Sequence, residues 1–157
     1  MKIRKATVED AKTIAELNMH VQRVHADALP EIFKPAVVDD EMIELNLERL
    51  ADDEATTFIA EDEGIPVGYI YALVRHRPEN PFSYARDFVH VDAMSVNPEY
   101  YGTGVADQLM QAVIDLARAH KTTRIILDVW DFNARAKRFY QKQGFSTFNH
   151  RMQLILE

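Results

Sequence analysis

Val96-Asn97-Pro98-Glu99-Tyr100-Tyr101-Gly102-Thr103-Gly104-Val105-Ala106 joins a strand-like run to an amphipathic helix and holds two of the chain's five glycines. The N–H groups in the first turn of a helix have no intrahelical partner, and the helix dipole makes that end partially positive. Gly102, Gly104 and the slim Ala106 keep bulky side chains away from those donors. A phosphate or pyrophosphate is the ligand such a loop fits. The stretch lacks the Lys-Ser/Thr pair of a triphosphate-binding loop and the three spaced glycines of a dinucleotide turn, so neither nucleotide class is expected.

Working outward, residues 88–96 read as a strand leading into the loop. Residues 104–119 read as a helix striped by Val105, Leu109, Val113, Leu116 and Ala117. Residues 124–129 are a nearly continuous apolar run, the pattern of a strand covered on both faces. A last helix is expected over 133–142, stopped by Gly144, and 145–156 alternate like a closing strand through Met152, Leu154 and Leu156. Upstream, residues 2–7 read as a strand. A helix begins at Val8-Glu9-Asp10, with Ala11, Ile14, Ala15, Leu17, Asn18 and Val21 facing inward. After a loop through Lys34-Pro35 comes a second helix over 39–51. Strands at 56–60 and 67–74 flank the turn Glu61-Asp62-Glu63-Gly64-Ile65-Pro66. This order predicts an α/β (α+β) fold: a mixed, mostly antiparallel central sheet flanked by helices, with a β-α-β crossover that carries the glycine loop.

The 157 residues suit one domain over 1–157, with 47% apolar and 27% charged residues and no cysteine. Thiolate metal sites, disulfides and an acyl-cysteine intermediate are thereby excluded. The start, Met1-Lys2-Ile3-Arg4-Lys5, lacks a signal-peptide core and no apolar run reaches a membrane span, so a soluble, cytoplasmic protein is expected. The net charge of −7 is unevenly spread: 16 acidic and 7 basic side chains in residues 1–63, against 9 and 11 in 64–157. With no basic stripe, nucleic acid is not an expected partner. The acidic half suits a cationic partner and the other half an anionic cofactor, unless the charge only solvates the surface. His20, His25, His76, His120 and His150 show no paired ligand spacing, so no metal is expected.

Asn133, Ala136 and Tyr140 lie at i, i+3 and i+7, on one face of the last helix, and Asn133 suits its N-cap. Singly they read as a cap, a packing alanine and a core aromatic. As a set, one strand after the glycine loop, they read as a functional face. The run 96–106, with Asn133, Ala136, Tyr140 and Gly144-Phe145, resembles the GCN5-related N-acetyltransferase (GNAT) superfamily. The likeness covers nearly the whole chain in element order and is most specific over 88–146. The family's central motif is Arg or Gln, two residues, Gly, one residue, then Gly or Ala. Gly104 and Ala106 match it, whereas Tyr101 stands where Arg or Gln is usual.

The resemblance implies acetyl transfer from acetyl-CoA to a primary amine by direct attack, on a GNAT-like acyl-CoA N-acyltransferase fold. Tyr101, Gly102, Thr103, Gly104, Val105 and Ala106 would surround the pyrophosphate. Main chain near Met94 and Val96 would pair with the pantetheine arm where its strand splays from 124–129, and an N–H there would polarise the thioester carbonyl. Asn133 would bond to the arm or an ordered water, and Ala136 would leave room for it. The chemistry needs an acid for the leaving thiolate and a base for the acceptor ammonium. Tyr140, matching the family's tyrosine, is the candidate acid. Asp92 is the candidate base, expected to share a strand face with His90 and Met94, and His90 is the second choice. His25, Leu29 and Phe33 are expected to line the acceptor pocket, with Trp130 and Phe132 as cleft walls or plain packing. The expected acceptor is a small cationic amine. A protein N-terminus or lysine, or a non-catalytic acyl-CoA-binding module, is the alternative. The alternation over 145–156 leaves strand exchange in a homodimer open.

Overall fold

The computed structural model describes residues 1–156. Strands β1 (Lys2–Lys5), β2 (Ala55–Asp62), β3 (Ile65–Arg77) and β4 (Arg86–Val96) lie side by side in chain order and antiparallel. A short β5 (Ile125–Leu127) then joins β4 in parallel. The sheet is mixed and mostly antiparallel, as the pattern predicts. Helices α1 (Ala11–Ala28) and α2 (Asp40–Ala51) fill the β1–β2 connection, α3 (Val105–Ala119) forms the crossover that a parallel pair requires, and α4 (Ala134–Lys142) follows β5.

Local chemistry sets the element ends. Asp39 caps α2 by accepting from the Met42 N–H at 2.9 Å. Ahead of α1, the Thr7 N–H donates to Asp10 at 2.8 Å, and Arg4 grips both Asp10 oxygens at 2.8 and 2.7 Å. Glu63 (φ 50°) and Gly64 (φ 84°) make the tight β2–β3 turn, whose two left-handed residues match the twist of the flanking strands.

Period-2 alternation along β3 sends side chains to two cores. Ile70 and Ala72, with Val67 brought to the same side by the register shift between Pro66 and Gly68, pack with Val89, Val91 and Val96 of β4 against Val105, Leu109, Met110 and Val113 of α3. On the other face Tyr69, Tyr71 and Leu73 pack with Ile59 against Ile14 and Leu17 of α1. The Tyr69 hydroxyl, fully buried, donates to Asn18 Oδ1 at 2.7 Å, so this inner-face polar residue of α1 satisfies a core phenol.

Three expectations are corrected. Residues 145–156 make no strand, because beyond Phe145 the segment forms no main-chain hydrogen bond among the described residues. The strand expected at 124–129 shortens to Ile125–Leu127, since β5 has a partner on one side only. Met94 does not share a face with Asp92 and His90. Tyr71 pairs with Ala93 but Ala72 with Val91, so Asp92 is the extra residue of a β-bulge. The bulge reverses the alternation: Val89 and Val91 belong to the α3 side before it, Met94 and Val96 after it.

Candidate active site

The glycine loop is open on the side a ligand would use. Gly102 (φ 77°) and Gly104 (φ 90°) are both left-handed, and a Cβ built on either meets nothing within 4 Å. Thr103 braces the turn by donating from Oγ1 to the Tyr100 carbonyl at 2.7 Å. Gly104 is the N-cap of α3, so no side chain caps the first N–H groups of that helix. Val105 is buried beneath the loop, and Ala106 is half-buried beside it. The sequence reading missed one member of this region. The Arg135 guanidinium, from the first turn of α4, stacks on the Tyr101 ring with 3.6 Å to the centroid. Its only sequence signal was an aromatic residue in a position where a cation is usual, with a basic helix one strand later.

Helix α4 presents the second set. Asn133 Oδ1 accepts from the Ala136 N–H at 3.0 Å, the N-cap role the spacing predicts, while its amide nitrogen makes no hydrogen bond among the described residues. Tyr140 sits edge-on to Phe139 and Phe145, at 5.3 and 5.7 Å, and packs against the α3-side core. Its ring is largely enclosed, yet the hydroxyl is not sealed off and bonds to no protein group among the described residues. Burial raises the phenol above its ordinary pKa of 10, so it stays protonated across the neutral range.

Strands β4 and β5 pair at Val89–Ile125, His90–Ile126 and Val91–Leu127, and there the ladder stops. From the bulge onward, the β5-facing edge of β4 therefore lacks a strand partner. Asp92 faces α2, where Arg49 reaches its carboxylate at 3.4 Å while lying over the Tyr71 ring. His90 Nε2 faces Asp128 at 3.5 Å. Asp92 and His90 thus lie on the α1/α2 side of the sheet and Tyr140 on the α3 side.

Four aromatic rings from two distant segments, one around the end of α1 and one in the loop after β5, come together. His25 stacks on Phe33 at 4.8 Å and meets Phe132 edge-on at 5.8 Å, and Phe33 meets Trp130 edge-on at 5.0 Å. Burial lowers the His25 pKa, favouring the neutral imidazole. Leu29 closes α1 nearby, its N–H donating to the His25 carbonyl at 2.9 Å.

Residues 20–145 match the model of the acetyltransferase (GNAT) family. The chain belongs to the GNAT acetyltransferase family. Uncharacterized N-acetyltransferases of Mycobacterium bovis and Mycobacterium tuberculosis are 31% identical to it over 78% of each chain. Among solved structures, a tetramutant of the BH1408 protein from Bacillus halodurans superposes with a TM-score of 0.93 at 28% identity, covering 99% of this chain and 100% of that one. The aminoglycoside N-acetyltransferase AAC(6')-Iy, solved with CoA, shares the fold: its TM-score is 0.70 at 22% identity, over 99% of this chain and 93% of that one. In this GNAT acetyltransferase the loop, the parted strands and the face of α4 converge at one end of the β4–α3–β5 crossover. No helix among the described residues is long and apolar enough to cross a membrane.

Proposed function

We propose that the enzyme transfers the acetyl group of acetyl-CoA to the primary amine of a small cationic molecule. The parting of β4 from β5 after Val91–Leu127, with two left-handed glycines in the loop that leads from β4 into α3, carries this reading. A Cβ at Gly102 or Gly104 would meet only open space, so the loop leaves room for a pyrophosphate beside its N–H groups. Main-chain N–H groups of residues 102–106 and the start of α3 grip it. Arg135, stacked on Tyr101, lends the loop the positive charge that Tyr101 does not. The unpaired edge of β4 near Met94 and Val96 bonds to the pantetheine amides. One of its N–H groups polarises the thioester carbonyl, and the Asn133 amide nitrogen steadies the arm beside Ala136.

The amine nitrogen bonds to the acetyl carbon as the C–S bond breaks. Asp92, or His90 with Asp128 as its orienting partner, removes the ammonium proton before attack; Tyr140 donates its hydroxyl proton to the departing sulfur, and the second proton that the nitrogen sheds as it becomes the amide restores the Tyr140 hydroxyl. Tyr140 suits the task because burial keeps that proton on at working pH. For the acceptor, the cluster of His25, Phe33, Trp130 and Phe132 offers ring faces and edges to a cation, and the acidic N-terminal part attracts one. Two neighbours of the same fold are named aminoglycoside acetyltransferases, which supports a small polycationic acceptor.

Thiol release from acetyl-CoA, measured against polyamines, aminoglycosides and lysine-containing peptides, tests the reading. Turnover confined to the small amines is the expected result. Turnover confined to peptides would replace the acceptor, and tight CoA binding without turnover of any amine would leave a binding module.

A further inference from the structure

Asp92 is held by a guanidinium that is itself barely held. Arg49 Nη2 lies 3.4 Å from Asp92 Oδ2, a single long contact, and its planar head rests over the Tyr71 ring, 4.9 Å from the centroid. It donates to no other protein group among the described residues. Arg4, which ties β1 to the start of α1, is bound quite differently. Its side chain is as exposed as that of Arg49, at 29%, yet it gives short bonds of 2.8 and 2.7 Å to Asp10 and 2.6 Å to Glu61. A guanidinium carries a planar fork of N–H donors. In Arg49 most of that fork is unused, because resting on Tyr71 restrains the head without consuming a donor.

The free donors sit where an acceptor's own charges would meet them. Asp92 is the extra residue of the β4 bulge, one past the last pair with β5, and its side chain is 39% exposed. Carboxylate and guanidinium thus present one negative and one positive charge, side by side and open to solvent, 3.4 Å apart. The complementary ligand carries one positive and one negative charge at a similar spacing. An α-amino acid does, since one carbon bears both its ammonium and its carboxylate. Laid against the pair, its ammonium meets Asp92 and its carboxylate meets Arg49, closing a square of alternating charges with sides of about 3 Å. A diamine or an amino sugar fills only the Asp92 corner and sets its cation against Arg49 with nothing to offset the repulsion.

We infer that the acceptor is an α-amino acid acetylated on its α-nitrogen, and that Arg49 selects it by its carboxylate. The inference rests on the proposed transfer from acetyl-CoA and narrows its acceptor. A basic amino acid satisfies both demands: its net positive charge suits the acidic N-terminal part of the chain, and its carboxylate suits Arg49. The α-nitrogen bonds to the acetyl carbon as the C–S bond breaks. One ammonium proton leaves to the base before attack, and the second restores Tyr140 once it has protonated the sulfur. The products are the N-acetyl amino acid and CoA.

Thiol release from acetyl-CoA, compared for arginine against agmatine and for lysine against cadaverine, tests this on the wild-type chain, since each pair differs only in the carboxylate. The amino acid should be preferred in kcat/KM by about 10- to 150-fold, the range of one charge-assisted hydrogen bond. Mass spectrometry should find the acetyl group on the α-nitrogen. In Arg49→Gln the preference should fall at least about tenfold, through the KM of the amino acid, and Arg49→Lys, with the charge but not the fork, should recover part of it. An amine used as well as its amino acid, acetyl on the side-chain nitrogen of lysine, or a preference that survives Arg49→Gln overturns the inference. Should none of the four compounds release thiol, the transfer reading is what fails, and calorimetric titration in the presence of CoA decides the carboxylate contact alone. Arginine should then bind at least about tenfold more tightly than agmatine, and equal binding overturns the inference.

Discussion

Gly104→Ala separates what the glycine loop does for folding from what it does for ligand binding, provided it is compared with Gly64→Ala. Both glycines are left-handed, at φ 90° and 84°, and a Cβ on either meets nothing within 4 Å. An alanine held in that region costs about 1–2 kcal/mol. For a chain of this size, each kcal/mol lowers Tm by about 2–4 °C. Both variants should therefore melt roughly 2–8 °C lower, by a similar amount, since the strain is the same and no packing is lost. Their behaviour toward CoA should differ. At position 104 the new methyl enters the space of the pyrophosphate and displaces at least one N–H contact to a charged oxygen, worth about 1.5–3 kcal/mol. That corresponds to a Kd roughly 10- to 150-fold weaker by calorimetric titration. At position 64, in the β2–β3 turn, the methyl faces solvent and the Kd should not move. If the two variants bind CoA equally well, the anion lies elsewhere and the reasoning from the loop fails.

Tyr140→Phe should lower kcat about 100-fold, in the range of a lost general acid, with the CoA Kd unchanged; an unaltered kcat removes Tyr140 from the chemistry. Because burial raises this phenol, the fraction able to donate is complete at neutral pH and declines only as pH climbs beyond 10, so the wild-type rate should show no loss from this group below that. Asp92→Asn should cut kcat/KM at neutral pH by about two orders of magnitude, whereas a larger fall in His90→Gln would move the base to the histidine. Arg135→Ala should weaken CoA several-fold with little change in Tm, and a greater effect of high salt on the wild type than on the variant would mark the contact as electrostatic. Arg4→Met should cost about 2 kcal/mol in urea unfolding at pH 7, the loss of charge-assisted bonds to buried Asp10. Arg4 holds the Asp10 carboxylate below its unfolded pKa. Its stabilisation is therefore complete above the ordinary carboxylate range and fades as pH falls through the folded value, and the gap between wild type and variant should narrow in acid.

Most of the architecture could be read because its signals are local. The stripes of α1 and α3, the Asn133 cap and the Glu63-Gly64 turn act within a few residues, and the structure has all of them. The parallel β4–β5 pair followed from the crossover helix, since a chain that runs strand, helix, strand has few other ways to return. The arm over 145–156 misled for a related reason. Alternation reports a face that wants burial, which is a property of the segment, but a strand also needs a neighbour, which is not. The contacts that were invisible, Arg135 on Tyr101 and His25 against Phe132, join segments more than thirty residues apart through side chains whose types are ordinary on any surface.

Asp92 shows why the site resisted the same reading. Period-2 counting puts it with His90 and Met94, and that is right on one side of the residue and wrong on the other, because the extra residue shifts the phase. A pattern of alternating side chains cannot reveal a bulge, since each half looks regular by itself. The bulge lies one residue past the last β4–β5 pair, Val91–Leu127. It therefore turns a carboxylate toward α2 and Met94 toward the α3-side core just where the strands lose each other as partners. A regular strand would keep Asp92 in phase with Met94, and the proposed proton acceptor and the proposed cofactor contacts would crowd one face. On the proposed reading the irregularity lets a single strand serve both: the side chain at 92 on one face, and the main chain beyond it, without a strand partner, in the gap.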